Sequence, residues 1–357
     1  MSTFNKQPMV TKTLFVFFNQ HLSGNLKIHS DGELIFQYDP SWLLNNDASP
    51  LSILLPLQSN QYKGHRVNAY FGNLLPGNTR MNEIKIFSLL EKFNANYGAV
   101  SIRNVSEYRK ISLPNKRCIK YHGPDLPDGV ENEAFCMRLG NAVGLSVPET
   151  TIINTSPRHI YVGRETKLND TVHEENLNQL LGIWDTKKPI KTYQLYKTFL
   201  ECSQAPIVDK WRYIQWIVFN FLIGNKNPNP KSVHFSHTQN GVSLSYFTDL
   251  ISTEVYPKMI CKHPFYVGGE QDIKNVRGQH WKAFAKEFNI KPASIVAIGK
   301  SLINQVQTSL QSLDSAFLIA YPKTSIIDHI ASVIEANCIK VWESLAEIDQ
   351  EKIEVMI

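Results

Sequence analysis

The chain has 357 residues and a mass of 40.7 kDa, enough for one large or two modest domains with substantial cores. Its 37 basic and 32 acidic side chains leave a net charge of +5, a mild excess that permits an anionic partner without demanding one. The longest strongly apolar run, Trp216–Gly224, is far too short to span a bilayer, which excludes a membrane-embedded chain. Five cysteines are scattered without CxxC pairing, and the opening MSTFNKQPMVTK is polar. Reduced thiols in a soluble cytoplasmic protein are therefore expected, not a disulfide scaffold.

Taken in order, Leu14–Phe18 reads as a buried strand and Gly24–Ile28 alternates at period two. Leu34–Tyr38 answers across an Asp31-Gly32 turn. Pro40–Leu43 breaks that pattern and begins a loop or short helix. Arg80–Phe93 has helical periodicity, with Ile84, Phe87, Leu89 and Leu90 predicted on one common face. A polar stretch, Ser101–Leu113, precedes a strand at Arg117–Tyr121 that carries Lys120. Val130–Leu139 opens an amphipathic helix whose Glu131 and Glu133 read as carboxylates placed in the first turn by the helix dipole. Thr151–Ile153 and Ile160–Val162 are strand candidates leading to Gly163-Arg164-Glu165. Further helices are predicted over 193–203, 207–223 and 292–348, the last broken at Tyr321-Pro322.

The most informative stretch runs from Phe219 to Pro257. An apolar run ends at Gly224 and gives way to a polar loop, Asn225–Ser232. In that loop Pro228 and Pro230 fix the backbone and push Asn227 and Asn229 towards extended conformations. Two β-like runs, Val233–His237 and Val242–Phe247, join around the hairpin dipeptide Asn240-Gly241, and Asp249 follows. Helix, polar loop, hairpin, acidic residue is the order in which kinase-like folds bring a catalytic loop and a metal-binding aspartate to one cleft.

The chain resembles the HipA family, toxin–antitoxin proteins with a serine/threonine kinase fold. Phe219–Asn225 with Lys231 and Asp249–Thr253 carry the resemblance most strongly. Leu51–Leu57, Tyr70–Pro76, Asn132–Leu139, Gly268-Gly269-Glu270 and His280-Trp281 extend it over roughly 14 to 345. It implies an α+β, protein-kinase-like fold. A small β-rich N-terminal subdomain occupies 1–95, an N-lobe-like region 96–190, and a mostly helical C-terminal lobe with the catalytic-type loop 191–357. It implies ATP and magnesium as cofactors. A phosphate-binding loop maps to Asn104, Val105 and Ser106, a phosphate-contacting lysine to Lys120, and an adenine hinge to Gly163 and Glu165. Catalytic positions fall on Asn227 and Lys231, metal positions on Ser232 and Asp249, and a regulatory phosphorylation site on Ser101. One of the helix-start glutamates is offered as a partner for Lys120.

Several of these positions depart from the family pattern. Asn227 stands where the resemblance implies a catalytic aspartate, Asn229 where it implies histidine, and Ser232 where it implies a metal-binding asparagine. Asn104 replaces the phosphate-loop glycine and Glu165 the aromatic ring that holds adenine. A carboxamide oxygen is a poor base, and general-base catalysis contributes about 10²–10⁴-fold. The expectation is a pseudokinase or strongly impaired kinase with weak or absent ATP and magnesium binding. It acts by binding a HipB-like antitoxin and reaches DNA only through that partner. The alternative is an active ATP-dependent serine/threonine kinase toxin that inhibits translation and growth.

Overall fold

A computed structural model of the chain describes residues 9–75, 81–93, 96–97, 99–104, 118–120, 122–154, 157, 159–163, 173–184, 192–238, 241–259, 265–321 and 324–354. The first strands are β1 (Val10–Phe18), β2 (His21–His29), β3 (Leu34–Tyr38) and β4 (Tyr62–Lys63), with helices α1 (Pro40–Leu43), α2 (His65–Asn73) and α3 (Glu83–Phe93). Then come β5 (Asn96–Tyr97), β6 (Val100–Arg103), β7 (Cys118–Lys120), α4 (Gly129–Ala142), β8 (Glu149–Ile153) and β9 (His159–Gly163). β10 (Glu174–Asn176), α5 (Leu177–Leu181), α6 (Thr192–Cys202) and α7 (Pro206–Leu222) lead to the hairpin of β11 (Val233–Thr238) and β12 (Gly241–Phe247). Helices α8 (Gly278–Glu287), α9 (Pro292–Ala320) and α10 (Ile326–Glu354) close the chain, a β-rich beginning followed by a helical end.

The fold divides into two compact units. The first takes in Met1–Pro114, Thr166–Lys187 and the hairpin tip Phe235–Gly241. The second takes in Asn115–Glu165, Lys188–His234 and Val242–Ile357.

In the first unit a sheet runs in the order β4-β3-β2-β1-β6-β5. Alternation along β1 sends Leu14, Val16 and Phe18 to one face, where they meet Leu26, Ile28, Phe36 and Tyr38 in a single apolar core. Helices α2 and α3 cover that core with Val67, Tyr70, Phe71, Ile86, Phe87 and Leu90. The sequence expectation for α3 needs correction at Ile84, which is 57% exposed, whereas Ile86 is fully buried. The helical period is right and Phe87 and Leu90 are buried as expected; only the edge of the stripe shifts, from Ile84 to Ile86. On α2, Gly72 makes room for Trp184, because a Cβ there would lie 1.8 Å from the indole ring. A short helix, α5, begins at Asn176, whose side chain accepts from Gln179 N at 3.1 Å while Gln179 Oε1 accepts from Asn176 N at 2.9 Å. This reciprocal cap satisfies two amides at the helix start.

In the second unit β7, β9 and β8 form a small antiparallel sheet. Beside it, α9 and α10 pack along each other and against α4, α7 and α8. Trp216, Trp281, Phe219 and Phe221 are buried here, and Trp216 stacks on Phe247 at 5.6 Å between centroids. The Tyr321-Pro322 break falls between α9 and α10, as the sequence requires. Cys136 and Cys338 are buried, and these two and Cys202 are free thiols.

Candidate functional site

The site is built on the end of α7. Its last turn is wholly buried, and Asn220 inside it donates to Trp216 O at 2.8 Å while accepting from Asn225 Nδ2 at 2.8 Å. Gly224 then turns the chain at φ +67°, where a Cβ would meet Val333 and Glu254 within 3 Å. Asn225 Oδ1 accepts from Asn227 N at 3.2 Å, which fixes the first bend of the loop. Asn229 is extended (φ −81°, ψ 127°), as the following Pro230 requires. Its side chain accepts from Lys231 N at 3.0 Å and starts a single 3-10 turn, Pro230–Ser232.

That turn delivers Ser232 to Asp249. Ser232 Oγ donates to Asp249 Oδ2 at 2.5 Å, and Thr248 Oγ1 donates to the same oxygen at 3.3 Å. Thr248 N donates to Ser232 O at 2.9 Å, so the backbone holds the pair in register. Behind it, His234 Nε2 lies 3.3 Å from Thr248 Oγ1, and the His234 ring stacks on Tyr246. Asp249 adopts φ +54°, a left-handed conformation that costs a non-glycine residue about 1–2 kcal/mol. Such strain persists only where the surroundings over-determine the backbone, and it aims the carboxylate into the loop.

The segment after Asp249 is tied back to the loop. Lys226 N donates to Thr253 Oγ1 at 2.8 Å, Glu254 N donates to Gly224 O at 2.9 Å, and Lys226 Nζ pairs with Glu254 at 3.4 Å. On its other side Asn132 of α4 clasps Ser252, accepting from its N at 2.8 Å and donating to its O at 2.9 Å. The two sequence motifs are thus one physical unit. Burial pushes the Lys231 ammonium down to about 8.

The second unit brings Asn227, Lys231, Ser232 and Asp249 together around this loop. Lys120 ends β7, where it pairs with Ile160, and Gly163 ends β9, where it pairs with Glu149. The first unit carries Ser101 and Asn104. Ser101 is 4% exposed within β6, between Phe17 of β1 and Asn96 of β5, so its hydroxyl is not accessible in this arrangement. Asn104 is exposed immediately after β6. Val105, Ser106 and Glu165 lie outside the described residues.

Two features were missed or misread from sequence. Glu131 stands in the first turn of α4 as expected, but nothing in the sequence signals that Glu131 and Glu133 are buried, at 2% and 1% exposed, with Glu133 meeting His122 Nε2 at 2.7 Å. In the first unit, the Glu175 carboxylate is fully buried and meets His237 Nε2 at 2.7 Å, with the His173 ring 4.0 Å from that of His237. The spacing of 62 residues between Glu175 and His237 gives no local signal.

The donor set around Asp249 suits one hard cation. It offers a single carboxylate and neighbouring hydroxyls, all oxygen, matching magnesium held mainly by nucleotide phosphates. Among the described residues no group of three or more His, Cys, Asp or Glu side chains could hold a metal by itself.

Comparison with known proteins agrees with this architecture. The HipA N-terminal domain model matches residues 14–95 and the HipA-like C-terminal domain model matches residues 91–310. Y4mE of Sinorhizobium fredii, whose name assigns it provisionally to the kinases, is 21% identical over 85% of this chain and 92% of its own length. The serine/threonine-protein kinase toxin HipA of Shewanella oneidensis is 21% identical over 56% of this chain, which spans 53% of that relative. The Shewanella oneidensis structure of HipA with HipB and operator DNA superposes with a TM-score of 0.76 at 16% identity, covering 94% of this chain and 99% of that one. With two adjoining family models spanning most of its length, the chain belongs to the HipA family.

Proposed function

We propose that this HipA-family protein has lost, or almost lost, phosphoryl transfer and acts by binding a HipB-like protein. The observation that carries the reading is Asn227 at the position where transfer needs a carboxylate, on a loop whose hydrogen-bonded scaffold is assembled from Asn220 to Ser232 while Asn229 and Ser232 also depart from the family pattern. Phosphoryl transfer asks the protein for positioning and charge neutralisation, with one side chain to orient the attacking hydroxyl. An amide holds that hydroxyl by a hydrogen bond but cannot take its proton. Asp249 and Ser232 are the residues to hold a magnesium ion, which when bound would neutralise phosphate charge. For Ser232 this requires its hydroxyl to turn from Asp249 and present a lone pair to the ion. Lys231 is an ammonium kept partly dry, ready for an anion. The partner reading draws on the Shewanella relative, whose structure contains HipB and operator DNA.

An active serine/threonine kinase is the second reading, favoured by the retained Lys231 and the strained, inward-aimed Asp249. Incubation with [γ-³²P]ATP and magnesium or manganese separates the two. The proposal expects label incorporation no greater than that of Asp249→Ala. Robust phosphorylation abolished by Asp249→Ala rejects it.

A further inference from the structure

We infer that a cleft between α8 and α10 of the second unit is a binding site for a small dianion of the phosphate or phosphate-monoester class. It lies apart from the Asp249 loop and does not rest on the functional reading above. Lys274, Arg277 and Lys340 form its rim, and Phe221, Trp281 and Val341 its floor. The floor residues are at most 4% exposed, while all three cations are solvent-facing. The polar groups of the wall are already engaged, with Trp281 Nε1 donating to Ser344 Oγ at 2.9 Å and Ser344 Oγ to Val341 O at 2.8 Å.

Charge decides the ligand. Among the described residues neither Arg277 nor Lys340 has a carboxylate within 4.0 Å, and Lys274 has only Glu254, at 4.0 Å. That same Glu254 oxygen is nearer to Lys226, at 3.4 Å, and the other accepts from Asn337 at 3.2 Å. Of the other nearby acids, Glu347 accepts from Gly278 N at 2.6 Å and Asp272 from Lys274 N at 2.9 Å, so both are engaged by backbone amides, the first amide of α8 is capped and the side-chain cations carry the site. Arg277 spends Nη1 on the carbonyls of Lys274 and Val276, each at 3.0 Å, which holds the guanidinium at the rim with Nε and Nη2 still available to donate. Three cations facing one cleft repel one another, and an anion with two charges and several acceptor oxygens relieves that repulsion with charge-assisted hydrogen bonds. The space is about 250 Å³, part of it open to solvent. Its enclosed part admits little more than a water-sized group, so the anion sits at the rim among the cations, where an inorganic-phosphate-sized head fits and a buried nucleotide does not. Lys274 would turn from Glu254 to such an anion, leaving Glu254 to Lys226 and coupling the cleft to the loop that carries Asn227.

The test is titration of inorganic phosphate into the full chain at constant ionic strength, read by calorimetry and by the thermal unfolding midpoint. Saturable one-site binding is expected, weakened about tenfold or more in Lys340→Met and Arg277→Met, since each removes a charge-assisted hydrogen bond. Lys340 makes no described hydrogen bond or ion pair, so Lys340→Met should unfold at the wild-type midpoint without phosphate. A phosphate response that does not saturate, or an affinity unchanged in both variants, overturns the inference. Loss of binding in Lys231→Met with Lys340→Met unaffected would place phosphate on the Asp249 loop and overturn it equally.

Discussion

Lys231 provides a quantitative test of how the loop is built. Its ammonium is depressed from 10.5 to about 8 by burial, so folding disfavours the charged form. At about 1.4 kcal/mol per pH unit, that gap corresponds to roughly 3 kcal/mol of lost stability while the group is charged. The unfolded chain binds the extra proton between pH 8 and 10.5, so the penalty is full below 8 and relieved as pH rises towards 10.5. Lys231→Met keeps the aliphatic stem and removes the charge. By this linkage the variant should exceed wild type by about 3 kcal/mol at pH 7 and by about 1 kcal/mol or less at pH 10. Urea unfolding of both proteins at the two pH values gives the difference directly, and other titrating groups cancel in it. A variant no more stable than wild type at pH 7, or an advantage that does not shrink with pH, refutes the reasoning.

Three further outcomes follow from other contacts. Glu175→Ala leaves the His237 ring nitrogen without its carboxylate partner, and leaving a buried hydrogen-bonding group unsatisfied costs about 1–3 kcal/mol; equilibrium denaturation measures it. Gly72→Ala drives a methyl into the Trp184 ring and should cost about 1–3 kcal/mol, with a shift in indole fluorescence as Trp184 moves. Ser232→Asn replaces a hydroxyl engaged with Asp249 by a carboxamide oxygen able to ligate a hard cation. Manganese·ATP should then bind more tightly by electron paramagnetic resonance, and an unchanged affinity would remove Ser232 from the metal site.

Much of this fold was legible because its signals are local. The apolar run Leu14–Phe18, the alternation in Gly24–Ile28 and the strand Leu34–Tyr38 each act within a few residues, and each strand formed where expected. On α3 the helical period was readable, but which stripe faces inward depends on the sheet beneath. Ile84 and Ile86 therefore could not be told apart. At the loop, residue types showed the departures from the family pattern, and the prolines foretold the extended Asn229. The sequence could not show that Ser232 would spend its hydroxyl on Asp249, since the hairpin between them creates that contact. Burial of Glu131 and Glu133, and the Glu175–His237 pair, arise from chain segments far apart in sequence and leave no periodic trace.

The central claim is that the carboxamide at 227 is what silences transfer on an otherwise assembled loop. The most direct measurement compares wild type with Asn227→Asp in magnesium and [γ-³²P]ATP, counting phosphate transferred per protein. The account predicts background counts for wild type and a rise of about 10²-fold or more for Asn227→Asp, the lower end of a general base's contribution. Wild-type turnover equal to that of Asn227→Asp would contradict it.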